Sequence, residues 1–172
     1  MVVEQKQLPI QVDDTVKHII GDSLAKVIFE ADEVKLLALS VQAPQANDSA
    51  IVNDSTRLDS ITPPDFHGCY IAKDFGALSK PEVAPLLFIL ADRDAYFLGD
   101  ARLKSPFMPE VALTFKKENA KVDIIFSFTG GQLYIFQENE EKIYFKYNYE
   151  RLILRYFQSF LQEERIEEFL SL

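Results

Sequence analysis

Between residues 111 and 147, apolar side chains fall on every second position in short runs, broken by Glu118-Asn119, by Gly130-Gly131 and by the acidic stretch Glu138 to Glu141. Period-two alternation marks strands with one buried face, and the breaks carry turn-forming residues, so the stretch predicts an antiparallel β-meander. Side chains point alternately to opposite faces of a strand, so the right pairing is the one that gathers the apolar positions on one side. A turn at Glu118-Asn119 sets Phe115 opposite Val122, Leu113 opposite Ile124 and Val111 opposite Phe126. A primed turn at Gly130-Gly131 sets Phe128 opposite Leu133 and Phe126 opposite Ile135 on that same face. For the last hairpin, a two-residue turn at Asn139-Glu140 would bring Lys146 opposite Leu133. A loop one residue longer sets Ile135 against Phe145 and Leu133 against Tyr147, and it is preferred because it segregates polar from apolar. The expected core face is Val111, Leu113, Phe115, Val122, Ile124, Phe126, Phe128, Leu133, Ile135, Ile143, Phe145 and Tyr147.

The opposite face reads Ala112, Thr114, Lys116, Asp123, Ile125, Ser127, Tyr134, Phe136, Tyr144 and Lys146. Its border is polar, as expected of an antiparallel sheet with one wet side. In its middle Ile125, Tyr134, Phe136 and Tyr144 form an apolar island. Either another part of the chain covers that island, or it stays open as a binding surface.

Elsewhere the helical period dominates. Val12, Val16, Ile19 and Ile20 share a face of a short helix over residues 12–21, with Asp13 or Asp14 as cap and Gly21 as stop. A second helix after Asp22-Ser23 buries Leu24, Val27 and Ile28. Residues 34–41 alternate as a strand, although Leu36 to Leu39 would also suit a helix. Residues 44–66 show no period, which makes them either a connector or a recognition loop. A brief strand over residues 67–73 follows.

Ser79-Lys80-Pro81-Glu82 forms a capping box for a helix reaching about Ala91 and burying Val83, Leu86, Leu87 and Leu90. Pro85 lacks the N–H that would bond back one turn, so that helix is either kinked or starts late. Residues 96–98 suit a short strand. Tyr149, Leu152, Ile153, Tyr156, Phe157, Phe160 and Leu161 then recur at steps of three and four, an amphipathic helix capped by Asn148 and packed on the core face. Ile166, Phe169 and Leu170 fall out of phase with that stripe, which predicts a break near Gln162 and a short final helix. The whole reads as one α+β domain over residues 1–172, an antiparallel meander with helices on one face.

Composition narrows the partners. With 172 residues and a formal charge of −9, the chain is long enough for one well-buried domain, and it lacks the clustered Lys and Arg that a nucleic-acid backbone or an anionic membrane requires. Its apolar runs are too short to span a bilayer. The first residues, Met-Val-Val-Glu-Gln-Lys, hold no secretory leader, which predicts a cytoplasmic protein unless a leader was removed before Met1. One cysteine, Cys69, permits no internal disulfide and no cysteine-based zinc site. Asn47-Asp48-Ser49 and Asn53-Asp54-Ser55 match the glycosylation acceptor pattern, which has meaning only in a secreted eukaryotic protein.

Candidate chemistry is sparse. Asp65, His67 and Cys69 are the one local grouping of acid, base and nucleophile, and on a strand His67 and Cys69 would share a face. The bland alternative is a structural cysteine beside a surface histidine. His18 stands alone on a short helix, which suits an exposed side chain. Asp74-Phe75-Gly76 matches a kinase metal-binding triplet, but the chain lacks the other kinase motifs. No metal-ligand spacing and no cofactor motif emerges.

Lys73-Asp74-Phe75-Gly76-Ala77-Leu78-Ser79, Pro106-Phe107-Met108-Pro109 running into Val111-Ala112-Leu113-Thr114-Phe115, and Ser127-Phe128 with Gly131-Gln132 together resemble a group of small uncharacterised bacterial α+β proteins. The resemblance covers about the second two thirds of the chain. It implies the fold and carries no activity, cofactor or site.

Two functions follow as expectations. The first is a non-enzymatic binding module that uses Ile125, Tyr134, Phe136 and Tyr144, with or without the 44–66 loop, for a protein partner or for self-association. The second is a hydrolase or transferase with Cys69 as nucleophile and His67 as base.

Overall fold

The computed structural model describes residues 9–42, 64–98, 106–138 and 140–161, apart from the side chains of Lys142 and Tyr144. Most of the 44–66 stretch, the two glycosylation-pattern triplets and the expected final helix lie outside the described residues.

The meander is present: β4 (Val111–Lys117), β5 (Ala120–Ser127), β6 (Gln132–Gln137) and β7 (Glu140–Tyr147) pair in succession. Two strands from earlier in the chain extend it, β1 (Glu33–Ser40) and β2 (Tyr70–Ala77), and β3 (Tyr96–Phe97) closes the far edge. The result is a seven-stranded antiparallel sheet of order β2-β1-β4-β5-β6-β7-β3.

The first hairpin has the expected register, Phe115 opposite Val122, Leu113 opposite Ile124 and Val111 opposite Phe126. The next two differ, each for a local reason. Between β5 and β6 the connection spans four residues rather than two, so Phe126 meets Leu133 and Ile124 meets Ile135. The Glu110 carboxylate accepts from the Phe128 N–H and from the Thr129 hydroxyl, drawing both residues into the turn. Of the two glycines only Gly131 adopts a positive φ, 57°. A shift of two residues equals the strand period, so the apolar set keeps its face.

Between β6 and β7 the connection is two residues long and lies one position earlier than the turn at Asn139-Glu140, with Gln137 opposite Glu140. The odd residue expected in the loop lies in the strand instead, as an irregularity between Ile135 and Phe136, after which Ile135 meets Ile143 and Leu133 meets Phe145. Without that bulge the side chains of β7 from Ile143 onward would exchange faces.

Helices α1 (Asp14–Ile20), α2 (Asp22–Phe29), α3 (Lys80–Leu90) and α4 (Glu150–Gln158) pack on the core face. Asp13 caps α1 by accepting from the Thr15 N–H at 2.7 Å. At the start of α3 both the N–H and the hydroxyl of Ser79 donate to Glu82 at 2.7 Å, and the helix runs from Lys80 through Pro85 as one element. On α4 Ile153, Tyr156 and Phe157 are buried, and the Phe157 ring lies 5.0 Å from that of Phe126. Leu152, expected in this stripe, is 51% exposed. Asn148 does not cap α4. Its side-chain amide donates to the carbonyls of Asp94 and Tyr96 and joins the helix start to the β3 edge.

Candidate functional site

The sequence placed the aromatic island on the outer face of the sheet, and the structure brings His67 and Cys69 to that same face. Its middle is closed. Residues 66–69 fold back as a miniature hairpin, in which the Phe66 N–H donates to the Cys69 carbonyl at 3.1 Å and the Cys69 N–H returns the bond at 2.9 Å. His67 and Gly68 occupy its corner with φ of 49° and 81°. Two successive left-handed residues define a type I′ turn, which histidine enters at a steric cost and glycine enters freely. The turn carries the His67 ring onto Phe136, stacked at 4.1 Å, and the Phe66 edge onto His67 at 4.8 Å.

Beneath these rings lies a polar knot. Asp123, fully buried in the middle of β5, has one carboxylate oxygen 2.7 Å from His67 Nε2 and 3.0 Å from the Lys121 ammonium. Its other oxygen accepts from the Thr114 hydroxyl at 2.6 Å. Burial alone would raise its pKa, but the bonds from His67, Thr114 and Lys121 outweigh burial and hold the carboxyl below its ordinary value. A charge at this depth requires such partners, and every one of them comes from the chain itself.

The expected site residues fall into this arrangement unevenly. Ile125 is 1% exposed, packed with Leu37, Leu39, Phe66, Cys69 and Ala112. Tyr134 and Phe136 are half-buried, the first under the Phe107 ring at 4.2 Å and the second under His67. Tyr144 lies opposite Tyr134 in the sheet, and its side chain is outside the described residues. Ile125 is therefore covered by the chain's own hairpin, while Tyr134 and Phe136 keep part of their surface exposed.

For the expected nucleophile the geometry is equally specific. Cys69 is buried, its Sγ directed to the His67 carbonyl oxygen at 3.9 Å, while the imidazole turns the other way to Asp123. Burial raises the thiol pKa, the opposite of what thiolate chemistry requires. Asp65 is exposed, and the acid that holds His67 is Asp123, 56 residues away in sequence. Asp123 was detectable as a carboxylate in the middle of a strand, opposite Thr114 in the first hairpin. What covers it was not.

The second feature of the surface had no counterpart in the sequence reading. Two depressions of about 810 and 700 Å³ adjoin where the segment before α1 passes the end of α2 and the side of α3. They share Ile10, Phe29, Glu30 and Phe88. The second is apolar, floored by Val34, Leu78, Val83 and Leu87, and Phe88 stands 53% exposed between the two. The signal available was Phe88 itself, which follows Leu86 and Leu87 on a helix whose buried stripe is already complete without it.

Among the described residues no group of three or more His, Cys, Asp or Glu is placed to hold a metal ion, and no helix is long and apolar enough to cross a membrane. Compared with known proteins, the chain matches no family model, no curated protein and no solved structure. The resemblance noted in the sequence gains no relative from this.

Proposed function

We propose that the protein is a non-enzymatic interaction module whose binding surface is the groove between the segment before α1, the end of α2 and the side of α3. The observation that carries the reading is the exposed Phe88 where an open depression with an apolar floor adjoins one bordered by carboxylates. An apolar concavity rimmed by a few charged groups has the general form of a binding site. The acid-base and thiol groups of the outer face support the same reading from the other side, because the bond at 2.7 Å between His67 and Asp123 and the burial of Cys69 give them structural tasks. The acidic composition favours a protein partner over nucleic acid.

Nile red, an uncharged dye that brightens in apolar sites, tests the choice of surface. Saturable binding by the full chain should weaken about tenfold in Phe88→Ser and stay unchanged in Tyr134→Ser. Equal binding by Phe88→Ser, or loss in Tyr134→Ser, would return the site to the outer face.

A further inference from the structure

Resting on that reading, we propose that the groove receives an amphipathic segment of a partner polypeptide that is basic at one end, its apolar side chains over Val34, Leu78, Val83 and Leu87 and its basic end over the α1 side. The rim is lopsided in charge. Asp13, Asp14, Glu30 and Asp92 border the depression on the α1 side, and Asp32 adds a fifth carboxylate to the apolar one. Against them stand Lys17, already 3.0 Å from Asp14, and Lys80 at the opposite end. Nearby, Arg93 pairs with Asp94 at 3.5 Å, and Lys117 reaches Glu30 at 3.2 Å from the side.

The carboxylates have partners but are not saturated. Asp13 accepts from Thr15, Asp92 from Asp94 and Tyr149, and Asp32 from Glu118, mostly single bonds to groups with room for several. Three helix ends border this depression: the C-terminal ends of α2 at Glu30 and of α3 at Ala91, which are negative, and the positive N-terminal end of α1, whose Asp13 N–H donates to the Ala91 carbonyl at 3.0 Å and whose own cap and first turn carry the Asp13 and Asp14 carboxylates. The excess of negative charge therefore comes from the side chains and from the α2 end.

Apolar contact along one stretch and cation attraction along the next suit a helix with apolar residues on one face and Lys or Arg toward one end. The two depressions are open and adjoin at the four residues they share, which suits an extended segment lying across both better than a compact ligand enclosed in either.

The probe is a short fluorescent helical peptide of leucine and lysine, titrated into the full chain by polarisation, with its leucine–glutamate counterpart and palmitate alongside. Saturable binding of the leucine–lysine peptide should weaken with salt, and about tenfold in Phe88→Ser and in the double variant Asp14→Asn, Glu30→Gln. The double variant Glu141→Gln, Glu150→Gln, with its neutralised acids outside the groove, should bind as the parent does, which separates local attraction from overall charge. Equal loss in both double variants would overturn the proposal, as would preference for palmitate or the leucine–glutamate peptide. So would binding that requires deletion of residues 1–8, which would assign the groove to the chain's own beginning. If the leucine–lysine peptide fails while Nile red still binds in a Phe88-dependent way, the occupant is wrong and the groove stands. If neither probe responds to Phe88→Ser, the groove reading falls with it.

Discussion

His67 occupies a backbone conformation that costs it energy, and the side chain offsets that cost by reaching Asp123 at 2.7 Å. Removing the ring leaves a buried carboxylate with fewer donors and Phe136 without its stack. We expect His67→Ala to lose about 2 kcal/mol in denaturant unfolding, the usual order for removing one hydrogen-bond partner of a buried charged group. A loss under about 0.5 kcal/mol would mean the knot contributes little. The pH dependence follows from the depressed pKa of Asp123. Its contribution is complete above the unfolded carboxylate value, about pH 4, where the unfolded chain has released the proton too, and it is lost as pH falls through the lower folded value. The stability gap between the parent and Asp123→Asn should therefore shrink on acidification below about pH 4, and a gap constant from pH 7 to about pH 2 would count against an ionised Asp123. At Cys69, an uncharged maleimide should react only after unfolding. Rapid labelling of the folded chain would revive the nucleophile reading.

At the level of the elements, Phe126 joins the sheet to α4 through the ring of Phe157. Phe126→Ala should cost roughly 3–5 kcal/mol, and a loss under about 1 kcal/mol would deny that this face is the core. The strands from 111 to 147 were legible because alternation constrains parity, and parity survived both errors of register. A four-residue turn moved one pairing by a full period, and a bulge at Ile135 and Phe136 made good the residue that the shorter turn lacked. Neither device leaves a trace in hydrophobic pattern, since the Glu110 carboxylate that shapes the first is distant in sequence from the turn it holds. The outer face misled for a related reason. Ile125, Tyr134 and Phe136 do share a face as expected, but whether such residues meet water is decided by segments with no period, here residues 66–69 and Phe107. A His-Gly pair at the corner of a primed turn is a usable signal for that hairpin, because few residues other than glycine tolerate its second position.

Across the whole molecule, the two sides of the sheet are occupied differently. Among the described residues one holds four helices over a continuous core, the other a small second core covered by the chain's own hairpin and by the approach to β4. Among the described residues the two largest of the depressions lie on the helical side, where the end of α2 and the side of α3 come together around Phe29 and Phe88. Phe88→Ser should leave folding stability within about 0.5 kcal/mol, as expected of an exposed site, so that its effect on binding reports the surface alone. The account is tested most directly by amide chemical-shift mapping of the labelled full chain during titration with the leucine–lysine peptide. Shifts should gather at Ile10, Phe29, Glu30, Leu87 and Phe88. Shifts gathered instead at Met108, Tyr134 and Phe136 would contradict it and move the binding surface to the outer face of the sheet.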